Sequence, residues 1–546
     1  MDFYSKLLSA LLSGTALTLA LPPYGIWPLA LVGFVPLCGI IRSVTPLEAA
    51  GWGWLVGFLV VIGSSHWLAP LIIKSDLIPW APVWLMAAIL MCGYLALIYA
   101  LWAGLCRWLS IKEGREWGVS WLLCGPLLMA AIEGIFPFFF GPHFLSLLVW
   151  KVWPLTQIAE LGGPTAVSAL IMLINIIIAE CIQIARQPQK GYRRVNWAIF
   201  AATGVLLLSS ARGLYIIKAR DAAPQLSVGL VQPNFSHITS IKERAALGNH
   251  RTQALHEATT TLTEKGADLI VWPEAAWPYV LNRQLKYDYM PEHPQRLRPP
   301  KSTPRWLLIG TYSQSDNEGL NNSFVMVNKE GHVAKFYDKG YRVPFFEYIP
   351  LAEYFSDRTQ QWLQKNLMGE RPLIKPSSDY INNTAVLTDG PLSIGTMICY
   401  DELHHDYIHT IARQGPNLLA SAVSNTWSGG SPVALQHLAL ATYRAIETRR
   451  DMVRATNIGP SAFIDSLGRV HKMTQIMRVD PKDPPPPKIL EGNVALINHF
   501  ALGPYTARFF PYLSLMTLFI LAAWNRWNRK TVTGLERKRS PFVVDL

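Results

Sequence analysis

Three residues able to share one covalent reaction lie far apart in this sequence. Cys399 ends the apolar run "LSIGTMIC", Glu274 follows "LIVWP", and Lys339 interrupts the aromatic stretch "FYDKGYRVPFFEYIP". A thiol that attacks a carbonyl needs a base to take its proton and a cationic environment. Glu274, flanked by Trp272 and Trp277, is a candidate base whose partial desolvation would raise its pKa. Lys339 is a candidate for neutralising an oxyanion. Each also has a plainer role open to it: a buried core cysteine, an N-cap or loop acid, a snorkelling lysine.

His404, His405 and His409 follow Cys399 closely. An i, i+4 pair of imidazoles on one helical face resembles half a zinc motif, but it lacks the glutamate of HExxH and a third ligand. Local polar surface is therefore expected, with no metal and no other cofactor.

Strands and helices must bring the three residues together. "LSVGLVQPN", "ADLIVWPEAAW", "RWLLIGTYSQ", "NSFVMVN", "NTAVLTDG", "LSIGTMICY", "NLLASAVSN" and "MVRATNIGPSAFID" have strand character, bounded by Gly, Pro, Asn and Asp. "KERAALGNHRTQALHEATTTLTEKG" and "PVALQHLALATYRAIETRRD" have helical patterning. Alternating strands and helices predict an α/β domain with a buried sheet over residues 221–502. Cys399 and Glu274 both fall at strand ends, where a sheet delivers side chains to a site.

The rest is membrane-like. Half of the 546 residues are hydrophobic and only 16% are charged, a balance that points to spanning segments. Apolar runs near 5–22, 25–42, 50–73, 80–103, 118–140, 163–185, 195–217 and 504–524 predict about eight transmembrane helices. Seven occupy residues 1–220, and the last opens a C-terminal part, 503–546, that ends in a basic tail. The formal charge of +12 sits in loops 104–117 and 186–194 and in that tail, while acids and bases nearly cancel over 225–500. Such placement sets orientation and makes no nucleic-acid face. It predicts cytoplasmic even-numbered loops and tail, with the α/β domain outside. Cys399 is the single cysteine of that domain, so no disulfide can form within it.

"WPEAAWP", "DKGYRVPFFEYIP" and "ICYDE", in this order, resemble the Glu, Lys and Cys motifs of the nitrilase superfamily. "LALPPYGIWPLALVGFVPL" and "GWGWLVGFLVVIGSSHWL" resemble the opening helices of bacterial apolipoprotein N-acyltransferases. "VQPN", "QH" at 436–437, "RAIETRR" and "TNIGPSAFID" add to the likeness, which spans nearly the whole chain. The resemblance implies an αββα sandwich with Glu274 as general base, Lys339 as oxyanion stabiliser and Cys399 as nucleophile. It further implies Glu347 supporting the lysine, a Tyr400 backbone N–H at the oxyanion, and Asp401 or Glu402 as a further acid, with Asp401 preferred. The implied setting is the bacterial inner membrane with the catalytic domain periplasmic. The implied partners are the bilayer, a phospholipid acyl donor and diacylglyceryl-modified lipoproteins as acceptors.

Some positions depart from the family pattern. Phe346 replaces a glycine before Glu347, Asp401 is one methylene shorter than the usual glutamate, and the loop "SNTWSGG", with Asn425 and Trp427 as substrate-contact candidates, lacks an acid. A membrane-tethered amidase of small amides uses the same triad, although seven helices exceed what a tether needs. A transporter with a binding domain has few intramembrane ionisable residues to work with: Glu133, Glu160, Glu180 and His66. The segment 351–369 places Leu351, Tyr354, Phe355, Trp362 and Leu363 on one apolar face, suited either to a mobile arm in the membrane interface or to a buried helix.

Overall fold

The computed structural model describes residues 1–69, 81–110, 121–138, 144–186, 193–236, 241–314, 319–344, 346–368, 374, 386–426, 431–475 and 485–537. Among them, six helices are long and apolar enough to cross a membrane: Phe3–Ala20, Pro46–Ser64, Trp84–Ser110, Ala159–Arg186, Val195–Asp221 and Gly503–Ala523. The other two expected spans are apolar but shorter, Trp27–Ile41 and Trp121–Ile135.

The first short one is broken into a 3-10 turn, Trp27–Leu31, and a helix, Val35–Ile41. A break inside a bilayer must have its backbone groups satisfied by protein. Asn175 does this: its Oδ1 accepts the Phe34 N–H at 2.9 Å and its Nδ2 donates to the Ala30 carbonyl at 2.8 Å. A second irregularity lies in Ala159–Arg186, where Gly162 and Gly163 are non-helical, Gly163 with φ +65°. Pro164 follows, at a position where its fixed φ and missing N–H suit a helix start.

The α/β part consists of two packed sheets. In chain order the strands are β1 (Gln225–Gln232), β2 (Leu269–Val271), β3 (Val280–Asn282), β4 (Trp306–Gln314), β5 (Asn321–Asn328), β6 (Val333–Asp338), β7 (Val386–Asp389), β8 (Leu392–Ile398), β9 (Leu418–Val423), β10 (Met452–Thr456), β11 (Ala462–Ile464), β12 (Val470–Met473) and β13 (Lys488–Ala495). One sheet runs β13-β1-β2-β4-β5-β6 with β3 beside β4, and the other β12-β11-β10-β9-β8-β7. Each has a parallel centre, β1-β2-β4 and β8-β9-β10; β3 also runs parallel to β4, and the other outer strands pair antiparallel. The parallel centres are the most apolar strands because both faces are covered; every residue of β9 is buried. Helices Gly248–Glu264, His405–Arg413 and Val433–Thr448 cover the outer faces, giving an αββα sandwich.

Every expected strand is present. β3, β6, β12 and β13 are additional. The expected helix at 242–266 is divided into Ile241–Ala246 and Gly248–Glu264.

Candidate active site

Parallel β8, β9 and β10 deliver their C-terminal ends to one edge of the sandwich, and Cys399 is the first residue past β8. There the chain enters the 3-10 turn Cys399–Leu403 with Cys399 at φ +50°. A side chain in this left-handed region is strained by roughly 1–2 kcal/mol, so the surroundings must hold it. They do so from both sides. Asp401 Oδ2 accepts the Ile398 N–H at 2.9 Å, and His437 Nε2 stands 3.2 Å from the Cys399 carbonyl oxygen.

Glu274 lies just past β2. Its loop rests on β4, where the Trp277 N–H donates to the Gly310 carbonyl at 3.2 Å. Gly310 is required at this crossing because a Cβ there would collide with the Pro273 carbonyl. The environment of Glu274 differs from the expected one. Trp272 and Trp277 stack on each other at 5.9 Å within a hydrophobic cluster containing Leu255, Ile270 and Leu307. Polar donors hold the carboxylate instead: Oε1 accepts from Asn322 Nδ2 at 2.8 Å and Lys339 Nζ at 3.1 Å, and Oε2 from the Ser424 N–H at 2.9 Å.

Lys339 follows β6 directly and is buried between two acids. Its Nζ also donates to Glu347 Oε1 at 2.8 Å, and its N–H to the Asn322 carbonyl at 2.8 Å. Burial works against the ammonium, but Glu274, Glu347 and Cys399 outweigh it and hold the Lys339 pKa well above the usual lysine value. The Cys399 thiol is also raised, first by burial and then by Glu274, with Lys339 opposing. Cys399 is therefore a thiol at rest, and any attack by its sulfur would require removal of that proton. Glu347 Oε2 accepts the Val343 N–H at 2.7 Å, closing the turn that contains Phe346.

Asp401 and Glu402 are both buried and do different work. Asp401 Oδ1 accepts the Tyr341 N–H at 2.7 Å and Oδ2 the Tyr337 hydroxyl at 2.7 Å, tying the lysine segment to the cysteine turn. Burial pushes its pKa up to about 7. Glu402 meets Arg454 Nε at 3.0 Å, His437 Nε2 at 2.8 Å and the Ser421 hydroxyl. Burial opposes its charge, but Arg454, His437 and Ser421 bring its pKa down to about 2.

Tyr400 lies in the 3-10 turn with its ring edge-on to His404, and burial, then Tyr348, raise its phenol to about 12. Asn425 is buried just past β9, and Trp427 lies outside the described residues. The histidines do not form the expected polar surface. His409 is fully buried with Nε2 3.4 Å from Glu447, and His404 stacks on Tyr341 at 3.6 Å. Among the described residues no three His, Cys, Asp or Glu side chains converge as a metal site.

The sequence reading did not single out Asn322, Ser424, Tyr337, Ser421 and Arg454. The asparagine pair opening "NNSFVMVN" was the available signal for Asn322. A backbone donor such as the Ser424 N–H leaves no trace in residue type.

A buried thiol at a strand end, facing Glu and Lys on an αββα sandwich, defines the carbon–nitrogen hydrolase class of domain. Residues 227–475 match that family, described as carbon-nitrogen hydrolase, and residues 13–177 match the apolipoprotein N-acyltransferase N-terminal domain. An apolipoprotein N-acyltransferase of Geobacter metallireducens is 28% identical over 493 residues, covering 86% of this chain and 87% of the relative. One of Sinorhizobium fredii is 27% identical over 488 residues, covering 85% and 86%. Among solved structures, an amidase from Nesterenkonia sp. covers 50% of this chain and 90% of its own, with 16% identity and a TM-score of 0.33. With both of its regions matched and relatives spanning most of its length, the chain belongs to the apolipoprotein N-acyltransferase family.

Proposed function

We propose that the protein transfers an acyl chain from a membrane phospholipid to the α-amino group of a lipoprotein's diacylglyceryl-cysteine, through a thioester on Cys399. The observation that carries this reading is the buried Lys339 ammonium shared by Glu274 and Glu347 beside the Cys399 turn, on a domain packed against membrane helices.

In the first half-reaction Glu274 takes the thiol proton as sulfur attacks the sn-1 ester carbonyl. Lys339 and the Tyr400 N–H hold the oxyanion. The C–O bond breaks, Glu274 returns the proton to the departing oxygen, and a lysophospholipid leaves. In the second, the lipoprotein amine attacks the thioester, Glu274 accepts its proton, and collapse expels the thiolate, which takes the proton back. The order is ping-pong. Glu347 keeps Lys339 in place, Asp401 joins its segment to the cysteine turn, and Asn425 and Trp427 of the "SNTWSGG" loop are candidates for substrate contact. The family likeness supports a bacterial inner membrane setting, and the basic loops favour an orientation with the catalytic domain periplasmic and the tail cytoplasmic.

The test is mass spectrometry of the purified protein after incubation with labelled phospholipid. An acyl adduct on Cys399, absent in Cys399→Ser and discharged by a diacylglyceryl-cysteine peptide, is expected. No adduct on the wild type, together with turnover of small amides, would establish the amidase reading instead.

A further inference from the structure

Beside the candidate site lies a cavity of about 220 Å³, between the membrane helices and the catalytic domain. Its catalytic-domain wall includes Tyr341 and Tyr400, the latter adjacent to Cys399. Its membrane wall includes Glu133, Phe136 and Phe144 and the non-helical Gly162–Gly163 step. Glu447 lines it as well.

The two buried acids are in different situations. Glu447 Oε2 is balanced by Arg444 Nη1 at 3.1 Å and stands near His409. Its Oε1 faces Gly163, where a Cβ would sit 3.3 Å away; the glycine leaves that side of the cavity open. Glu133 is 1% exposed. Its Oε1 accepts the Leu145 N–H at 2.7 Å, while its Oε2 has no hydrogen-bond partner within 3.5 Å, with the Ser168 hydroxyl as the nearby polar group. Among the described residues no basic side chain forms an ion pair with Glu133. A carboxylic acid buried in this way stays protonated when alone and is charged only when something supplies compensating positive charge.

Walls of phenyl and phenol rings around an unbalanced carboxylate are the chemistry that recognises an ammonium, by charge and by cation–π contact. We propose that this cavity binds a primary ammonium group carried by a lipid substrate, with Glu133 as its counter-ion and Phe136, Phe144, Tyr341 and Tyr400 as its aromatic walls. Its occupant is assigned on the acyltransferase reading above, in which two lipids come to Cys399 and both sources of the group are lipidic. One is an ethanolamine headgroup of the acyl donor, and the other is the free α-amine of the acceptor.

The two half-reactions separate these sources. Glu133→Gln keeps an oxygen for the Leu145 N–H and removes the charge. Thioester formation is measured with phosphatidylethanolamine and with phosphatidylglycerol of identical acyl chains, and transfer from the preformed thioester with a diacylglyceryl-cysteine peptide. If the donor headgroup binds here, Glu133→Gln lowers kcat/KM for the ethanolamine lipid at least about tenfold relative to the glycerol lipid. If the acceptor amine binds here, both donors load equally and KM for the peptide rises by a similar factor. Phe136→Leu, a variant that leaves the carboxylate in place, shifts the same ratio about threefold in the same direction. Unchanged rates in both half-reactions overturn the proposal, as does an equal fall for every donor and acceptor. Failure of the wild type to form a thioester from either lipid instead overturns the acyltransferase reading itself.

Discussion

Lys339 keeps its charge in a buried position because two carboxylates face it, whereas burial first, and then Glu274, hold the Cys399 thiol pKa up against the opposing Lys339 charge. On the proposed mechanism Glu274 consequently acts as the base in both half-reactions. Glu274→Gln retains an oxygen for hydrogen bonding but loses the base, and thioester formation falls roughly 10²–10⁴-fold by quench-flow. Asp401 bridges Tyr341 and Ile398. Asp401→Ala is expected to slow both half-reactions about tenfold or more and to lower thermal stability by about 1–3 kcal/mol, with Asp401→Asn less severe. Glu402 gives a pH signature. Its folded pKa, near 2, lies below the unfolded 4.5, so its contribution is present above pH 4.5 and is lost as pH falls toward 2. The shift corresponds to about 3 kcal/mol. Glu402→Gln therefore flattens the acid limb of a stability-versus-pH curve measured by thermal unfolding. Residue type and strand-end position mark Cys399 and Glu274 in the sequence, and Lys339 is marked by its interruption of an aromatic stretch. The tryptophans beside Glu274 misled, because neighbours on a turn point to different sides. Asn322 was illegible because only β-pairing places it opposite Glu274.

At the scale of elements, the segment after the Glu347 turn separates the two alternatives left open for it. Leu351, Tyr354 and Trp362 are exposed, and helix Asp357–Leu363 buries no residue, so it is not a core helix. Capping by Ser356, whose hydroxyl accepts the Thr359 N–H, supplies local order without a core. Aromatic rings held outward beside a lipid-processing site suit insertion into the membrane interface. The double variant Tyr354→Ser, Trp362→Ser should raise KM for phospholipid in vesicles several-fold while leaving kcat for a detergent-dispersed donor near wild type. An equal loss in both assays counts against an interfacial role. Strand legibility follows burial. The apolar centres of both sheets were evident, whereas β12 is almost wholly exposed and β13 carries Glu491 and Gly492. Such outer strands show little hydrophobic contrast, and their partners, not their composition, define them.

At the scale of the whole molecule, apolar runs revealed where helices lie but not which ones are long enough to cross. Breaks at Phe34 and Gly163 depend on Asn175 and on the packing of other segments. The join between the membrane and catalytic parts was likewise hidden, because it rests on charges distant in sequence. Glu160, on a membrane helix, accepts from Arg449 Nε at 2.9 Å and Arg212 Nη2 at 2.9 Å. Arg449, in a left-handed conformation at the end of helix Val433–Thr448, also donates to Gln157 Oε1 at 2.7 Å. That helix also places His437 at the cysteine turn and Gln436 Nε2 3.0 Å from the Ser64 carbonyl, so the join bears on the turn that holds Cys399. Removing one partner of a buried ion pair leaves a bare charge and costs about 3–5 kcal/mol, whereas replacing both by apolar groups is close to neutral. Glu160→Ala should therefore lower the unfolding temperature in detergent and loosen the catalytic domain from the helices, seen as faster proteolysis between them. Pairing Glu160→Leu with Arg449→Met should restore much of the thermal stability, because the remaining partner, Arg212, is one-third exposed and can be solvated. If the double variant is as unstable as Glu160→Ala, the join depends on the hydrogen-bond geometry of the guanidinium and not on charge balance.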